Sequence, residues 1–177
     1  IVMRFSMNLL PLPSPNWTTE QIAQHYIDHG FAVRLGAVFG AWTSAFPLLY
    51  GVVMTLQMRR QERGAPVWSI IACLAWAIVT IVFALPMTFL GVAAYTPERA
   101  PEVTAIMHQL GMLTWITSNQ WILIAVVPVI VICLTLNSVI HSPFPRWMGY
   151  LAICTIPFLE STSIPFITRT GPFAWNG

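Results

Sequence analysis

The chain has 177 residues, of which 56% are hydrophobic and 8% are charged. A soluble domain carries about 25% charged residues, so the composition excludes a disordered chain and argues against a free-standing soluble enzyme. Eight arginines and six acids leave a net charge of +2, too small and too scattered for a nucleic-acid interface. The composition therefore predicts an integral membrane protein.

An external N-terminal segment, residues 1–30, is predicted first in the chain. Thr18 and Gln21 have the spacing of a capping box, which predicts a helix that starts just after Thr18. Gly30 is a typical residue for ending such a helix. We therefore expect a short external amphipathic helix ahead of a membrane domain at 31–177.

Four apolar stretches follow, and each is long enough to cross a bilayer, which takes about 20 residues. A backbone in lipid must satisfy its own hydrogen bonds, so these stretches are predicted to be helices. The alternation typical of membrane barrel strands is absent from the sequence. The predicted fold is an all-α membrane bundle of four transmembrane helices, at about 33–58, 66–95, 103–136 and 147–168.

Arginine placement predicts the orientation, because basic residues favour the cytoplasmic side. Three arginines lie within 59–63 in the first connection, Arg146 lies in the third, and Arg99 alone lies in the second. This pattern places the first and third connections inside the cell and both termini outside. Three further arginines lie on the opposite side and weaken the signal: Arg4, Arg34 and Arg169.

Small residues recur every fourth position in the first stretch, at Gly36, Gly40 and Ser44. Such rows let two helices approach closely, and in a membrane packing rather than hydrophobicity holds helices together. The row is predicted to pack against another helix of this chain, with a partner subunit as the less favoured alternative.

Glu160 is an ionisable residue within the fourth stretch, and such residues are costly in a membrane and often functional. The third stretch carries Ser118, Asn119 and Gln120, which would lie at similar depth if the two helices pair antiparallel. These four residues predict either a proton, ion or polar-ligand site or a polar clasp between two helices. The clasp is favoured, because a single acid without a second acid or a base is a poor relay.

His108 lies between two methionines, Met107 and Met112, in the third stretch. Imidazole and thioether ligands suit Cu(I), and His25 or His29 of the external segment could join them. Haem with His108 as one axial ligand is a further alternative. Neither is favoured, and no cofactor is predicted.

Three cysteines lie in apolar runs, at Cys73, Cys133 and Cys154. An odd number without a C-x-x-C pair argues against a disulfide framework or a zinc site. All three are predicted to be small buried hydrophobic residues.

Three motifs resemble those of a known family. They are Arg34-Leu35-Gly36, Pro-Arg-Trp-Met-Gly-Tyr at 145–150 and Thr-Gly-Pro-Phe-Ala-Trp-Asn-Gly at 170–177. Together they resemble a family of small, largely actinobacterial multi-pass membrane proteins, over most of residues 18–177. The resemblance implies the membrane architecture and no activity, since none is established for the family.

The sequence contains no nucleophile elbow, phosphate loop or H-E-x-x-H motif. It does contain eight tryptophans and ten phenylalanines, more than the interior of a four-helix bundle can hold. Lipid, pigment or a neighbouring subunit can each cover these rings, and the sequence does not distinguish between them. The predicted function is a non-catalytic accessory subunit that binds other membrane subunits. The alternatives are a small transporter or ligand-binding protein centred on Glu160 and, less favoured, a membrane redox protein.

Overall fold

A computed structural model of the chain describes residues 12–96, 98–136, 142–172 and 174–175. All regular structure in these residues is helical. The α-helices in chain order are α1 Thr19–Thr43, α2 Phe46–Arg59, α3 Val67–Tyr95, α4 Pro101–Thr117, α5 Gln120–Thr135 and α6 Arg146–Ser161, followed by a 3-10 helix at Ile164–Phe166.

The predicted all-α fold is confirmed. Within the described residues, three segments are long and apolar enough to cross a membrane, at Thr19–Arg59, Val67–Tyr95 and Pro101–Thr135. The helix α6, predicted as a fourth span, is a further helix of 16 residues that is not among these segments, and it ends at Ser161 rather than continuing to the predicted residue 168.

Two of the predicted spans contain a turn. One of these turns lies between α1 and α2. Pro47 lies within the first helical turn of α2, where its missing backbone N–H removes no helical hydrogen bond. The second turn lies at Ser118 and Asn119, between α4 and α5. Short polar side chains there offer the backbone an alternative to helical hydrogen bonds, and the Thr117 hydroxyl donates to the Leu113 carbonyl at 2.6 Å.

The N-terminal helix begins with the predicted capping box. The Thr18 hydroxyl accepts from the Gln21 amide at 3.3 Å, and the Gln21 side chain accepts from the Thr18 amide at 2.9 Å. The predicted end at Gly30 is wrong, because α1 continues to Thr43. Gly30 instead lies inside α1, where a Cβ would meet the Ala94 carbonyl oxygen at 3.6 Å, an ordinary contact distance. The segment predicted as a separate external helix is therefore continuous with the first apolar helix.

The chain divides into two compact units. Unit 1 contains Ile1–Ser44, Val82–Ser118 and Ser163–Gly177, and unit 2 contains Ala45–Ile81 and Asn119–Thr162. The helix α3 contributes its first half to unit 2 and its second half to unit 1.

In unit 1, α1 packs against α4, and α4 packs against the 3-10 helix. A Cβ at Gly111 would lie 2.7 Å from the side chain of Leu90, so α4 approaches the second half of α3 through a glycine. The core of this unit includes Ile22, Tyr26, Val33, Met87, Leu90 and Met112.

In unit 2, α5 packs against α6. Glycines again mark the closest approaches: a Cβ at Gly149 would lie 2.8 Å from the Cβ of Cys133, and Gly51 lies directly against the Trp76 side chain. The core of this unit includes Met58, Ala72, Val129, Ile132, Cys133 and Phe144.

The cysteines follow the prediction only in part. Cys133 is buried and Cys73 is half-buried, but Cys154 is exposed. The prediction of a buried residue is wrong for Cys154, because this side chain lies away from the contact that α6 makes with α5.

The connection between α2 and α3 contains a buried acid that the sequence analysis missed. The Glu62 side chain is 8% exposed. Its carboxylate accepts from the amides of Trp68 at 2.8 Å and Ser69 at 3.2 Å, and also from the Ser69 hydroxyl. The first amides of a helix lack partners within the helix, and a negative charge is favourable at this end. Glu62 thus caps the start of α3.

Candidate functional site

The most completely buried polar contact in unit 1 joins α1 to α4. The Tyr26 hydroxyl and the Nδ1 atom of His108 lie 2.9 Å apart in a hydrogen bond. Both side chains are almost fully buried, with 0% of Tyr26 and 1% of His108 exposed. Burying polar groups is costly unless they find partners, so the pairing satisfies two groups that would otherwise oppose the packing of these helices.

Two more histidines extend this contact along α1. His25 and His29 lie one turn apart, as their spacing predicts, and their rings stack with centroids 4.8 Å apart. The His25 ring also meets the Tyr26 ring edge-on, at 5.8 Å between centroids. We call His25, Tyr26, His29 and His108 the histidine cluster.

Two tryptophans flank the histidine cluster. The Trp17 ring lies 5.6 Å from the His25 ring, and the Trp175 ring lies 6.5 Å from that of His108. The indole N–H of Trp175 donates to the Pro13 carbonyl at 2.7 Å. The C-terminal motif at 170–177 therefore places an aromatic ring against His108 and connects to the segment before α1.

Two nitrogens of the histidine cluster are buried without a hydrogen-bond partner in the described part of the chain. They are the Nε2 atoms of His25 and His108. A buried polar atom left unpaired costs about 1–3 kcal/mol. The tautomer of His108 sets the hydrogen-bonding role of its Nε2 atom. If Nδ1–H donates to Tyr26, Nε2 is an acceptor; if Tyr26 donates to Nδ1, Nε2 carries the proton and is a donor.

The metal and haem alternatives considered from the sequence stay predictions. No group of three or more His, Cys, Asp or Glu side chains is positioned to hold a metal ion among the described residues. Met112 is fully buried in the unit 1 core, and Met107 packs against that core. Tyr26 contacts the rings of both His25 and His108, so a haem between these imidazoles would require Tyr26 to move.

The row of small residues lies inside unit 1. Gly36, Gly40 and Ser44 are all buried. Gly40 and Ser44 line a partly open pocket with about 340 Å³ of empty space, together with Phe83 and Trp115. Close packing of α1 against another helix through this row stays a prediction.

The residues of the predicted polar cluster lie at helix ends. Ser118 follows α4 and belongs to unit 1, whereas Asn119 and Gln120 begin α5 in unit 2. Glu160 lies in the last turn of α6, and its side chain is exposed. A common site formed by these four residues stays a prediction.

The helices α2 and α6 of unit 2 present large apolar surfaces. Gly149 is the one residue that α6 buries among those described, and α2 buries Gly51 and Met58. Exposed aromatic side chains on these two helices include Phe46, Tyr50, Trp147, Tyr150 and Phe158.

No protein family, curated protein or solved structure matches the chain.

Proposed function

We propose that the chain is a non-catalytic accessory subunit of a larger complex in a bacterial cytoplasmic membrane, with both termini on the external side. The observation that carries this proposal is the α6 surface, which we define as Trp147, Tyr150, Phe158 and Glu160. All four side chains are exposed, and Gly149 is the one residue that α6 buries among those described.

The composition of the α6 surface favours a protein partner over lipid. Lipid accepts aromatic rings, but an ionisable side chain that faces hydrocarbon is costly. A neighbouring subunit covers the rings and keeps the exposed Glu160 side chain out of hydrocarbon. Aromatic residues are enriched where protein surfaces meet.

The histidine cluster supports an assembly role over a catalytic one. Its central pair is closed off by packing, since Tyr26 and His108 are almost fully buried. Catalysis needs a group that a substrate can reach, and this pair instead holds α1 and α4 together.

The test is native purification of the full chain, tagged and expressed in a bacterial host that encodes it. We expect mild-detergent extraction to yield a particle well above the chain mass of 19.8 kDa, with other membrane proteins in fixed stoichiometry by mass spectrometry. A lone monomer without co-purifying chains would overturn the proposal.

Paired variants then locate the interface. Tyr150→Ala with Phe158→Ala should release the partner, because aromatic residues at the centre of an interface carry much of its affinity. The matched control is Phe31→Ala, an exposed aromatic of α1, which should leave the assembly intact. Equal loss in both variants would contradict the assignment to α6.

Glu160→Gln separates this proposal from a transporter or ligand-binding protein centred on Glu160. Glutamine keeps the hydrogen-bonding capacity of the side chain, so the assembly should survive the change. Loss of transport or ligand binding in an otherwise intact assembly would support the alternative.

A further inference from the structure

An open groove runs along α1 and the second half of α3 in unit 1. It encloses about 770 Å³ of empty space, part of it open to the outside. Ala37 and Ala41 of α1 and Gly91 of α3 line it. A Cβ at Gly91 would lie 3.2 Å from the Cβ of Ala37, so the two helices almost touch and their small side chains leave an apolar channel.

The groove is lined almost wholly by apolar atoms. Arg34 and Tyr95 line one end of it, and both side chains are exposed; we call this the polar end, after their guanidinium and hydroxyl groups. Arg34 is the one charged residue among the described residues that line the groove. The Nε–H of Arg34 donates to the Gly30 carbonyl at 3.4 Å, which holds the guanidinium near the surface of α1.

The polar end corresponds to the end of a membrane-crossing helix. Gly30 lies near Ala94 and Ala37 near Gly91, so α1 and α3 run antiparallel and Arg34 lies beside the last turn of α3. With 29 residues, α3 is about 43 Å long at 1.5 Å per residue. A hydrocarbon core is about 30 Å thick, so the ends of this helix reach the headgroup layer.

We propose that this groove binds one anionic phospholipid. Its phosphate contacts the Arg34 guanidinium and the Tyr95 hydroxyl, and one acyl chain lies along Ala37, Ala41 and Gly91. Charge complementarity argues for this occupant, because guanidinium pairs with phosphate through two parallel hydrogen bonds. Basic pockets between membrane helices bind anionic headgroups in the same way. The site requires a membrane location and is independent of the α6 surface.

The experiment is native mass spectrometry of the full chain released from detergent with equimolar phosphatidylglycerol and phosphatidylcholine. We expect the chain to retain one phosphatidylglycerol in preference to phosphatidylcholine. Arg34→Gln should lower that preference about fivefold, the effect of one basic residue near an anionic headgroup. Arg34→Lys should keep most of it, because the positive charge remains.

Two more variants complete the test. Ala41→Leu fills the apolar part of the groove from an exposed position and should reduce retention of both lipids. The control Arg63→Gln removes an exposed arginine of unit 2 and should leave retention unchanged. Circular dichroism melting curves check that each variant is folded like the parent chain.

Equal retention of the two lipids by the parent chain would overturn the proposal, and so would an unchanged lipid preference in Arg34→Gln. A dimer of the parent chain that Ala41→Leu dissociates would also overturn it, because a second copy would then occupy the groove. None of these results bears on the accessory-subunit proposal, because that proposal is tested by co-purification of other chains and by variants of α6. The two proposals can therefore fail separately.

Discussion

The buried polar side chains of unit 1 and unit 2 differ in how far along the chain their hydrogen-bond partners lie. In unit 2, Glu62 meets backbone amides that lie six and seven residues further along the chain. In unit 1, Tyr26 meets a histidine that lies 82 residues away. The first contact belongs to a short stretch of chain, and the second forms only when two distant helices pack together.

The two contacts also differ in expected strength. Hydrogen bonds that involve a charged group contribute about 1.5–3 kcal/mol, and neutral ones about 0.5–1.5 kcal/mol. A carboxylate at a helix N-terminus gains further from the helix dipole. Loss of the local contact in unit 2 should therefore cost more than loss of the long-range one in unit 1.

The largest effect is expected for Glu62→Ala. This change removes the acceptor for three donors in the first turn of α3 and should lower the free energy of unfolding by about 3 kcal/mol. Denaturant titration in detergent micelles measures it. Glu62→Gln should cost less, and the exposed neighbour Arg63→Ala should cost almost nothing. If the Glu62→Ala and Arg63→Ala variants prove equally stable, the capping role of Glu62 is wrong.

A second comparison uses one glycine from each unit. Gly149→Ala and Gly111→Ala each place a Cβ too close to a neighbour, and such overpacking costs about 1–3 kcal/mol. Gly149→Ala should cost more, because it meets the Cβ of Cys133, which moves only with the backbone, whereas Gly111→Ala meets Cγ and Cδ2 of Leu90, which can move by rotation of the side chain. Thermal unfolding of both variants measures the order.

The matched control for these glycines is Gly30→Ala. Its nearest neighbour would lie at 3.6 Å, an ordinary contact distance, and alanine favours a helix over glycine by up to about 1 kcal/mol. This variant should be as stable as the parent chain or slightly more so. A destabilised Gly30→Ala would show that α1 and α3 lie closer than described.

The smallest effect is expected for the Tyr26–His108 pair. Tyr26→Phe removes one neutral hydrogen bond and should lower the free energy of unfolding by about 1 kcal/mol. Adding His108→Leu should cost less than the two single changes summed, because no unpaired polar partner is left behind. A double-mutant cycle should give a coupling energy of about 1 kcal/mol. Strict additivity would show that the pair does not interact.

Much of the fold was predictable because it depends on local composition. The apolar stretches predict helices long enough for a membrane, and the capping box at Thr18 predicts the start of α1. The cap by Glu62 was also present in the sequence, as an acid a few residues before an apolar helix. We interpreted the charges of that connection only as an orientation signal, and the cap was missed.

Other features of the fold depend on packing between helices and could not be predicted from the local sequence pattern. Gly30 is a typical helix end, but it lies inside α1. Ser118 and Asn119 are predicted within one continuous helix, and they lie instead at the break between α4 and α5. For such residues, local propensity is a weak preference that packing overrides.

Local sequence is enough to predict that this chain is helical and apolar enough for a membrane, because backbone hydrogen bonding and side-chain hydropathy are properties of short segments. The packing of separate helices sets which polar groups meet: it brings His108 to Tyr26 and Arg34 to one end of an apolar groove. These partners lie far apart in the chain, and a local pattern does not specify which distant helix a residue will contact.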